Sequence, residues 1–221
     1  MSNIYIKNRG ELCSPAVFAE CMKNIGNEKE SVVFAKKCIC DFLGMEERTS
    51  SVSFAYNMYG KPIIKDIYDK NGIIADTKVN FSLSHSDNII ICAVTYFNIG
   101  IDCQKKNIHD ADRCKKIAKR FYSVEENIFL DAQKSDVLYI DNFFEIWTKK
   151  EAYIKYTGKG FAEKLQSFSV ADSKYGQKEY YQDVVFKKIT TENIKAENFV
   201  IYLCHSKYIK DKQNTWEIKY F

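Results

Sequence analysis

The chain contains 221 residues, of which 46% are hydrophobic and 14% aromatic; this excludes a disordered chain, because so apolar a sequence can bury a core. Its formal net charge of +4 falls short of the strongly basic balance of a dedicated nucleic-acid binder. Residues 1–10 lack a signal-peptide core and no apolar run approaches the ~20 residues that span a bilayer, so we expect a cytoplasmic protein whose eight cysteines are reduced thiols.

Taken in chain order, the first half of the sequence predicts one helix and several strands. Apolar residues at helical spacing indicate a helix within residues 28–43, and Tyr59–Pro62 has the composition of a turn. Apolar alternation and short apolar runs predict four strands: Ser51–Tyr56, Phe81–Ser84, Asn88–Tyr96 and Ile101–Gln104. We expect Ser84–Asn88 to form the turn between the second and third of these strands.

The second half of the sequence predicts three helices followed by strands. The helices are expected at Asp110–Tyr122, at Val124–Asp131 and at Asp141–Tyr156, the last ending at Thr157-Gly158. Ser123 and Glu126 have the spacing of a capping box. Four strands follow: Phe168–Ala171, Gln182–Lys187, Asn198–Cys204 and Thr215–Tyr220. Because helices and strands do not alternate regularly, the pattern favours an α+β fold.

The strand at Ile101–Gln104 carries two oxygen-bearing side chains on one face. Side chains alternate along a strand, so Asp102 and Gln104 point the same way. A carboxylate and an amide carbonyl side by side suit a hard cation such as Mg²⁺. The alternative is that Asp102 is a turn or cap residue, which is the commoner use of an aspartate at a strand end.

The third predicted helix places Trp147, Glu151 and Lys155 on one stripe, because positions four apart stack along a helix face. Glu151 and Lys155 could be a solvated ion pair. The large aromatic on the same stripe argues against this, since it indicates a face that packs inward. A buried Glu and Lys then need partners such as a metal or a phosphate.

Two turns offer groups that suit phosphate. Ser84 and His85 lie in the hydroxyl-rich turn, where side chains and backbone N–H groups could cradle an anion. Lys61-Pro62 adds a cation in the earlier turn. Each motif alone is equally consistent with an exposed turn that binds nothing.

In combination, five motifs resemble the Sfp-type 4′-phosphopantetheinyl transferases, enzymes that activate carrier proteins of non-ribosomal peptide, polyketide and fatty-acid synthases. The motifs, in order, are G-K-P, F-S-L-S-H-S, G-I-D-C-Q, K-R-F-Y-S-V-E-E and W-T-K-K-E-A-Y-I-K-Y-T-G-K-G. The resemblance runs from about Tyr59 to Val170, whereas residues 1–50 match poorly.

The resemblance implies a pseudo-dimer of two similar α+β halves, residues 1–105 and residues 106–221, with the active site in the cleft between them. It implies transfer of the phosphopantetheine arm of coenzyme A to a serine of an apo acyl or peptidyl carrier protein, with release of 3′,5′-ADP, by a monomer that uses Mg²⁺. No nucleic-acid or membrane partner is expected.

The resemblance also implies residue roles. Lys61 and Pro62 would lie near the adenine of coenzyme A, and Ser84 and His85 on its phosphates. The metal ligands would be Asp102, Gln104 and Glu151. Lys155 would add a second cation beside the phosphates, and Glu151 is the candidate general base. The catalytic set is therefore expected to be Asp102, Glu151 and Lys155.

Two departures from the family pattern bear on these roles. Gln104 stands where the family usually has a carboxylate, which removes one negative charge from the site. The N-terminal basic stretch that reaches the 3′-phosphate in the family is also missing; the possible substitutes are Lys23, Lys29, Lys36 and Lys37.

Two other functions compete with the transferase. A non-catalytic coenzyme A-binding protein of the same fold would explain Gln104. A basic RNA-associated protein would rest on Lys115, Lys116, Lys119 and Arg120. A basic face on a helix is usually solvated, however, and no RNA-binding motif accompanies this one.

Overall fold

A computed structural model describes residues 2–8, 30–45, 51–69, 71–73, 78–107, 109–190, 198–209 and 216–220. These residues form helices and sheets that follow one another without regular alternation, which confirms the α+β class. The chain divides into two compact units. The first unit is Met1–Ile99 with Lys210–Phe221, and the second unit is Gly100–Ile209.

The first unit contains a four-stranded sheet in the order β13-β1-β6-β5. Its strands are β1 (Ser2–Asn8), β5 (Asn80–Ser86), β6 (Ile89–Thr95) and β13 (Trp216–Tyr220). The first strand pairs parallel with β13 and antiparallel with β6. Every residue of β6 is buried, as its continuous apolar sequence predicts for a central strand.

The other elements of the first unit are one helix and a three-stranded sheet. Phe34, Cys38 and Ile39 of helix α1 (Glu30–Phe42) are buried in a hydrophobic core that includes Cys92 of β6. The small sheet has the order β2-β3-β4. Its strands are β2 (Ser51–Tyr56), β3 (Pro62–Asp69) and β4 (Gly72–Ile73).

The second unit begins with strand β7 (Ile99–Lys105, of which Ile99 belongs to the first unit) and three helices. The helices are α2 (Ala111–Phe121), α3 (Val124–Asp131) and α4 (Asp136–Thr157). Ser123 and Glu126 form the predicted capping box of α3, with both reciprocal hydrogen bonds present. Gly158 ends α4 in the left-handed conformation that favours glycine.

The sheet of the second unit has the order β10-β11-β12-β7. Short and long strands follow α4: β8 (Ala171–Asp172), β9 (Gly176–Gln177), β10 (Tyr180–Tyr181), β11 (Val184–Lys188) and β12 (Phe199–Ser206). Single 3₁₀ turns at Gly160–Ala162 and Leu165–Ser167 connect α4 to β8. Phe143 and Ile146 of α4 pack with Tyr202 of β12 in one hydrophobic core.

The structure corrects the predicted turn at Ser84–Asn88. Ser84 and His85 lie inside β5, and only Asp87 and Asn88 turn the chain. The register pairs Ser86 with Ile89, so the loop has two residues. Asp87 has a φ of 52°, a conformation that aspartate tolerates better than most residues.

The last helix begins at Asp136 rather than at Asp141, because Ser135 caps it by accepting a hydrogen bond from the backbone N–H of Leu138. The predicted halves, residues 1–105 and residues 106–221, stay a prediction. The chain passes into the second unit after Ile99, and the parallel pairing of β13 with β1 returns the last strand to the first unit.

Two expectations from composition can be checked on the described residues. Six cysteines are buried free thiols: Cys38, Cys40, Cys92, Cys103, Cys114 and Cys204. Across the described ranges, no helix is both long and apolar enough to cross a membrane.

Candidate active site

Strand β7 lies unusually close to helix α4, and Gly100 permits this approach. A Cβ atom at Gly100 would lie 1.9 Å from the backbone oxygen of Ala152 and 2.5 Å from the backbone nitrogen of Tyr156. Real Cβ atoms do not come so near a backbone atom, so only glycine fits at this position. The polar residues that follow Gly100 on the strand are thereby held beside the helix.

Asp102 is the centre of the polar cluster. Its side chain is only 3% exposed, so its charge needs partners within the protein. Lys155 of α4 donates to Asp102 Oδ1 at 2.6 Å, and Gln104 Nε2 donates to Asp102 Oδ2 at 2.9 Å. Both carboxylate oxygens are therefore hydrogen-bonded by neighbours that the sequence placed on the same strand face and on the facing helix stripe.

Glu151 belongs to the same electrostatic cluster. Burial raises its pKa, the negative charge of Asp102 raises it further, and the positive charge of Lys155 lowers it in part. Two carboxylates and one lysine thus influence one another at this position. A carboxyl with a raised pKa is suited to accepting a proton near neutral pH, as a general base must.

Trp147, four residues before Glu151, packs into the core of the second unit. Its ring lies 6.2 Å from that of Phe143 and 6.3 Å from that of Tyr122, centroid to centroid. This confirms the interpretation that the aromatic residue marks an inward-facing stripe. The Glu151–Lys155 spacing is therefore not an ordinary solvated pair, since Lys155 bonds Asp102 instead.

The donor chemistry of this cluster can be tested against a magnesium ion. Asp102, Gln104 and Glu151 supply two carboxylates and one amide oxygen, all of them hard oxygen ligands, and the carboxylates repel each other as a cation site requires. The set fits Mg²⁺ in this respect. Within the described ranges, no three His, Cys, Asp or Glu side chains form a group that could hold a metal.

A cavity of about 370 Å³ adjoins Glu151. Its lining combines apolar and charged side chains: Phe121, Ile154, Leu165, Arg120, Lys164 and Glu151. Residues 163–166 form one side of it, and Gln166 Nε2 donates to the backbone oxygen of Arg120 across it. The candidate base therefore lines a space with apolar walls, two exposed cations and a second carboxylate, Glu163.

The structure adds a buried ion pair that the sequence analysis did not identify as part of the site. Lys150 and Glu126 are both fully buried, and Lys150 Nζ lies 2.8 Å from Glu126 Oε2. Lys149, beside it, is also buried, and burial lowers its pKa to about 8. The signal in the sequence was the pair of adjacent lysines between Trp147 and Tyr153. Because those aromatic residues indicate a buried helix face, at least one of the two lysines has to be buried.

The predicted nucleotide-binding residues lie in the first unit. Lys61 and Pro62 stand at the start of β3, after a turn in which Asn57 Oδ1 accepts hydrogen bonds from the backbone N–H groups of Tyr59 and Lys61. Ser84 and His85 are consecutive residues of β5, Ser84 buried and His85 exposed. They point to opposite faces of the strand, so their side chains do not form one cradle within that strand. Their role in binding stays a prediction.

Comparisons with known proteins point to one family. Residues 98–204 match the model of the 4′-phosphopantetheinyl transferase superfamily. The chain is 32% identical over 157 residues to the 4′-phosphopantetheinyl transferase gsp of Aneurinibacillus migulanus, an alignment that covers 70% of this chain and 57% of that relative.

Two further relatives have higher identity over shorter alignments. One is 4′-phosphopantetheinyl transferase Sfp of Bacillus subtilis (strain 168), 38% identical over 58% of this chain and 51% of the relative. The other is 4′-phosphopantetheinyl transferase HetI of Nostoc sp. (strain PCC 7120 / SAG 25.82 / UTEX 2576), 38% identical over 59% of this chain and 50% of the relative.

The segment that matches the superfamily model contains β7 and α4. These two elements bring Asp102, Glu151 and Lys155 together. Through this segment the chain is similar to the 4′-phosphopantetheinyl transferase superfamily, and the relatives that it matches are 4′-phosphopantetheinyl transferases. The chain spans about half the length of the curated relatives that it matches.

Proposed function

We propose that the protein transfers the 4′-phosphopantetheine group of coenzyme A to a serine of an apo acyl or peptidyl carrier protein and releases 3′,5′-ADP. The observation that carries this proposal is the cluster of Asp102, Glu151 and Lys155 on β7 and α4, within the segment that matches the superfamily. A compact cluster of carboxylates and a lysine is what phosphoryl transfer requires, because catalysis there is mostly positioning and charge stabilisation.

The reaction assigns each of these residues a task. The serine Oγ forms a bond to the phosphorus that carries the pantetheine arm, and the bond from that phosphorus to 3′,5′-ADP breaks. Glu151, whose pKa burial and Asp102 raise, takes the proton of the serine hydroxyl. Lys155, held on Asp102 Oδ1, supplies a positive charge beside the phosphates.

Asp102, Gln104 and Glu151 would hold Mg²⁺ in this proposal. A bound Mg²⁺ draws negative charge from the phosphate oxygens and lowers the barrier for nucleophilic attack. Lys155 donates to Asp102 Oδ1, so this lysine and the metal would share the carboxylate. The metal requirement is therefore part of the proposal and of its test.

We assign the cavity beside Glu151 to the pantetheine arm. This arm is an uncharged chain of amides and methylenes, which suits walls formed by Phe121, Ile154 and Leu165. Arg120 and Lys164, both exposed, suit the phosphate to which the arm is attached. Placed so, the arm leads from Glu151 into an apolar space and leaves the phosphorus near the candidate base.

The direct test is to incubate the protein with coenzyme A, Mg²⁺ and a panel of apo carrier proteins, and to measure the intact mass of each carrier. The proposal expects a phosphopantetheine adduct on at least one carrier, dependent on Mg²⁺, and stoichiometric 3′,5′-ADP. Absence of any adduct with all carriers, although coenzyme A binds, would refute the transferase assignment.

A second candidate function is coenzyme A binding without transfer, and the state of Asp102 favours it. Both oxygens of Asp102 are hydrogen-bonded, by Lys155 and by the amide nitrogen of Gln104. A third carboxylate in place of Gln104 could not donate that bond and would add charge for a cation. Gln104→Glu, compared with the wild type, separates the candidates. If the protein only binds coenzyme A, the variant gains Mg²⁺ affinity and neither version transfers. If the protein is a transferase, the wild type already transfers.

A further inference from the structure

The buried pair of Glu126 and Lys150 holds one side of the cavity beside Glu151. The ammonium group of Lys150 is within 2.8 Å of Glu126 Oε2, and it also donates to the backbone oxygen of Leu165 at 2.7 Å and to that of Phe168 at 2.6 Å. We name residues 163–170 the wall segment. Two backbone carbonyl groups of the wall segment therefore accept hydrogen bonds from Lys150.

Glu126 fixes the same segment from the other direction. Its second oxygen, Oε1, accepts a hydrogen bond from the backbone N–H of Val170 at 2.8 Å. Its first oxygen also accepts one from the backbone N–H of Ser123, which completes the capping box of α3. The pair thus anchors the wall segment at three backbone groups and ties it to the start of α3.

The ring of Phe168 covers this pair. The Lys150 ammonium lies 4.2 Å from the centroid of the Phe168 ring, and both members of the pair have no exposed surface. Phe168 is itself buried against Tyr153 of α4, with ring centroids 4.7 Å apart. Water is therefore excluded from the anchoring contacts, so hydrogen bonds to water cannot readily replace them.

Stability alone is a weak reason to keep such a pair. Replacing a buried ion pair with apolar residues of similar volume is often neutral or stabilising, because the charges no longer have to be desolvated. What apolar residues cannot do is hold backbone carbonyl and N–H groups in a fixed place. The contacts of Glu126 and Lys150 are of this second kind.

We propose that Glu126 and Lys150 are positioning residues that fix the wall segment so that the cavity beside Glu151 accepts the pantetheine arm. This inference rests on the proposed function, because it uses the placement of the arm. Lys150 immediately precedes Glu151 on α4, so one turn of helix fixes both the candidate base and the opposing wall. The wall residues that line the cavity, residues 163–166, include Leu165, whose backbone oxygen Lys150 anchors.

The test uses two ligands that differ by the arm. Coenzyme A carries it and 3′,5′-ADP does not, so a displaced wall weakens only the first. We expect Lys150→Met to raise the Kd of coenzyme A by about ten- to a hundred-fold, as a misplaced binding surface does, and to leave the Kd of 3′,5′-ADP within about two-fold. Both constants are measured by calorimetry on the full chain.

Lys149→Met is the matched control, because Lys149 is also buried on α4 and also donates to a backbone carbonyl, that of Lys178, which lies outside the wall segment. We expect it to lower the thermal midpoint without changing the ratio of the two dissociation constants. If Lys149→Met shifts that ratio as far as Lys150→Met does, the wall is not the cause and the proposal fails.

A double variant keeps the test decisive if Lys150→Met does not fold. Glu126→Leu with Lys150→Met removes both buried charges, so we expect it to recover much of the thermal midpoint while the affinity for coenzyme A stays low. A double variant with wild-type affinity for coenzyme A would overturn the proposal, since the pair would then be core packing alone.

Amide exchange separates this proposal from the proposed function. In the wild type the Val170 N–H is bonded by a buried carboxylate, so we expect slow exchange there and fast exchange in the double variant. If the wild type binds coenzyme A but transfers nothing, the transferase assignment fails while this readout still supports the anchor. Unchanged exchange at Val170 in the double variant would refute the anchor whatever the activity.

Discussion

The two units bury different kinds of polar residue. In the described part of the first unit the buried polar side chains are neutral: Asn3, Ser82, Ser84 and Thr95. In the second unit they include two carboxylates, Asp102 and Glu126, and two lysines, Lys149 and Lys150. Removing a charge from water is expensive unless partners are fixed in place, so the second unit accepts a cost that the first does not.

The first unit places its ion pair near the surface instead. Asp41 of α1 and Lys219 of β13 form an ion pair with side chains 36% and 31% exposed, and Tyr5 of β1 donates a second hydrogen bond to Asp41. An ion pair this exposed adds little to the free energy of unfolding, and forming it requires little desolvation. The comparison indicates that charge is buried where it positions reacting or binding groups and is left half-exposed where it joins elements. Four predictions can break or sharpen this contrast.

The largest effect is expected from Glu151→Gln. The variant removes the candidate base and one oxygen ligand, so we expect transfer to fall by about 10²- to 10⁴-fold. Its thermal midpoint should not fall, because the raised pKa of Glu151 shows that its charged form is disfavoured in the fold. Rates are measured by carrier mass and stability by calorimetry.

Glu145→Gln is the control for that variant. Glu145 lies on the same helix and pairs with Lys188 and with the hydroxyl of Tyr202, outside the cluster around Asp102. It should transfer at nearly the wild-type rate. Wild-type turnover in Glu151→Gln would mean that the half-buried carboxylate of Glu151 has no catalytic role, and the cluster around Asp102 would lose its functional meaning.

Gly100→Ala should have the next largest effect. The new methyl group would meet the backbone oxygen of Ala152, which cannot turn aside as a side chain can, so strand and helix must separate. We expect a loss of about 1–3 kcal/mol in the free energy of unfolding, typical of overpacking, together with a fall in transfer as Asp102 moves from Lys155. Urea denaturation and transfer rates measure the two effects.

Gly44→Ala in the first unit provides the comparison. Gly44 has a φ of 65° and open space around it, so alanine there costs only the backbone strain of about 1 kcal/mol. Transfer should be unchanged. A Gly100→Ala variant as active as Gly44→Ala would show that the close approach of strand and helix is not needed for the site.

Much of the second unit follows from local sequence. Strand alternation puts Asp102 and Gln104 on one face, and helical spacing puts Glu151 and Lys155 on one stripe, so short-range patterns suffice to select these residues. The capping box of Ser123 and Glu126 is equally local. Periodicity failed at the start of α4, where Val137 and Leu138 are apolar but exposed and therefore hide the helical pattern.

The remaining features depend on contacts between distant parts of the chain. Glu126 meets Lys150 because α3 and α4 pack together, and no local spacing announces that contact. The parallel pairing of β13 with β1 joins the two ends of the sequence, and the short loop at Asp87-Asn88 shifts Ser84 from a turn into a strand. Sequence patterns specify faces of elements, whereas these features depend on which faces meet.

A smaller effect is expected from His85→Ala in the first unit. His85 is exposed on β5, so the variant should not change stability, and any loss of coenzyme A affinity reports a direct contact. We expect a loss of about 1–3 kcal/mol, typical of a hydrogen bond to a charged group, measured by calorimetry. His109→Ala, at another exposed histidine, should bind as the wild type does. Equal affinities for the wild type and both variants would return His85 to an exposed strand position without a ligand.

The smallest effect is expected from Asp41→Asn. Burial alone would raise the pKa of Asp41, but the hydrogen bonds from Lys219 and Tyr5 outweigh it and hold the pKa below its usual value. The ionised form therefore favours the folded state: this contribution is complete above the ordinary aspartate pKa of about 4 and is lost as the pH falls through the lower folded value.

Because the side chains of Asp41 and Lys219 are both about one-third exposed, we expect Asp41→Asn to lower the free energy of unfolding by less than about 1 kcal/mol at pH 7. Urea midpoints of wild type and variant should differ at pH 7 and converge toward pH 3, and Lys219→Met should behave similarly. A loss of several kcal/mol at pH 7 would show that the first unit, too, depends on a costly charge, and the contrast between the two units would not hold.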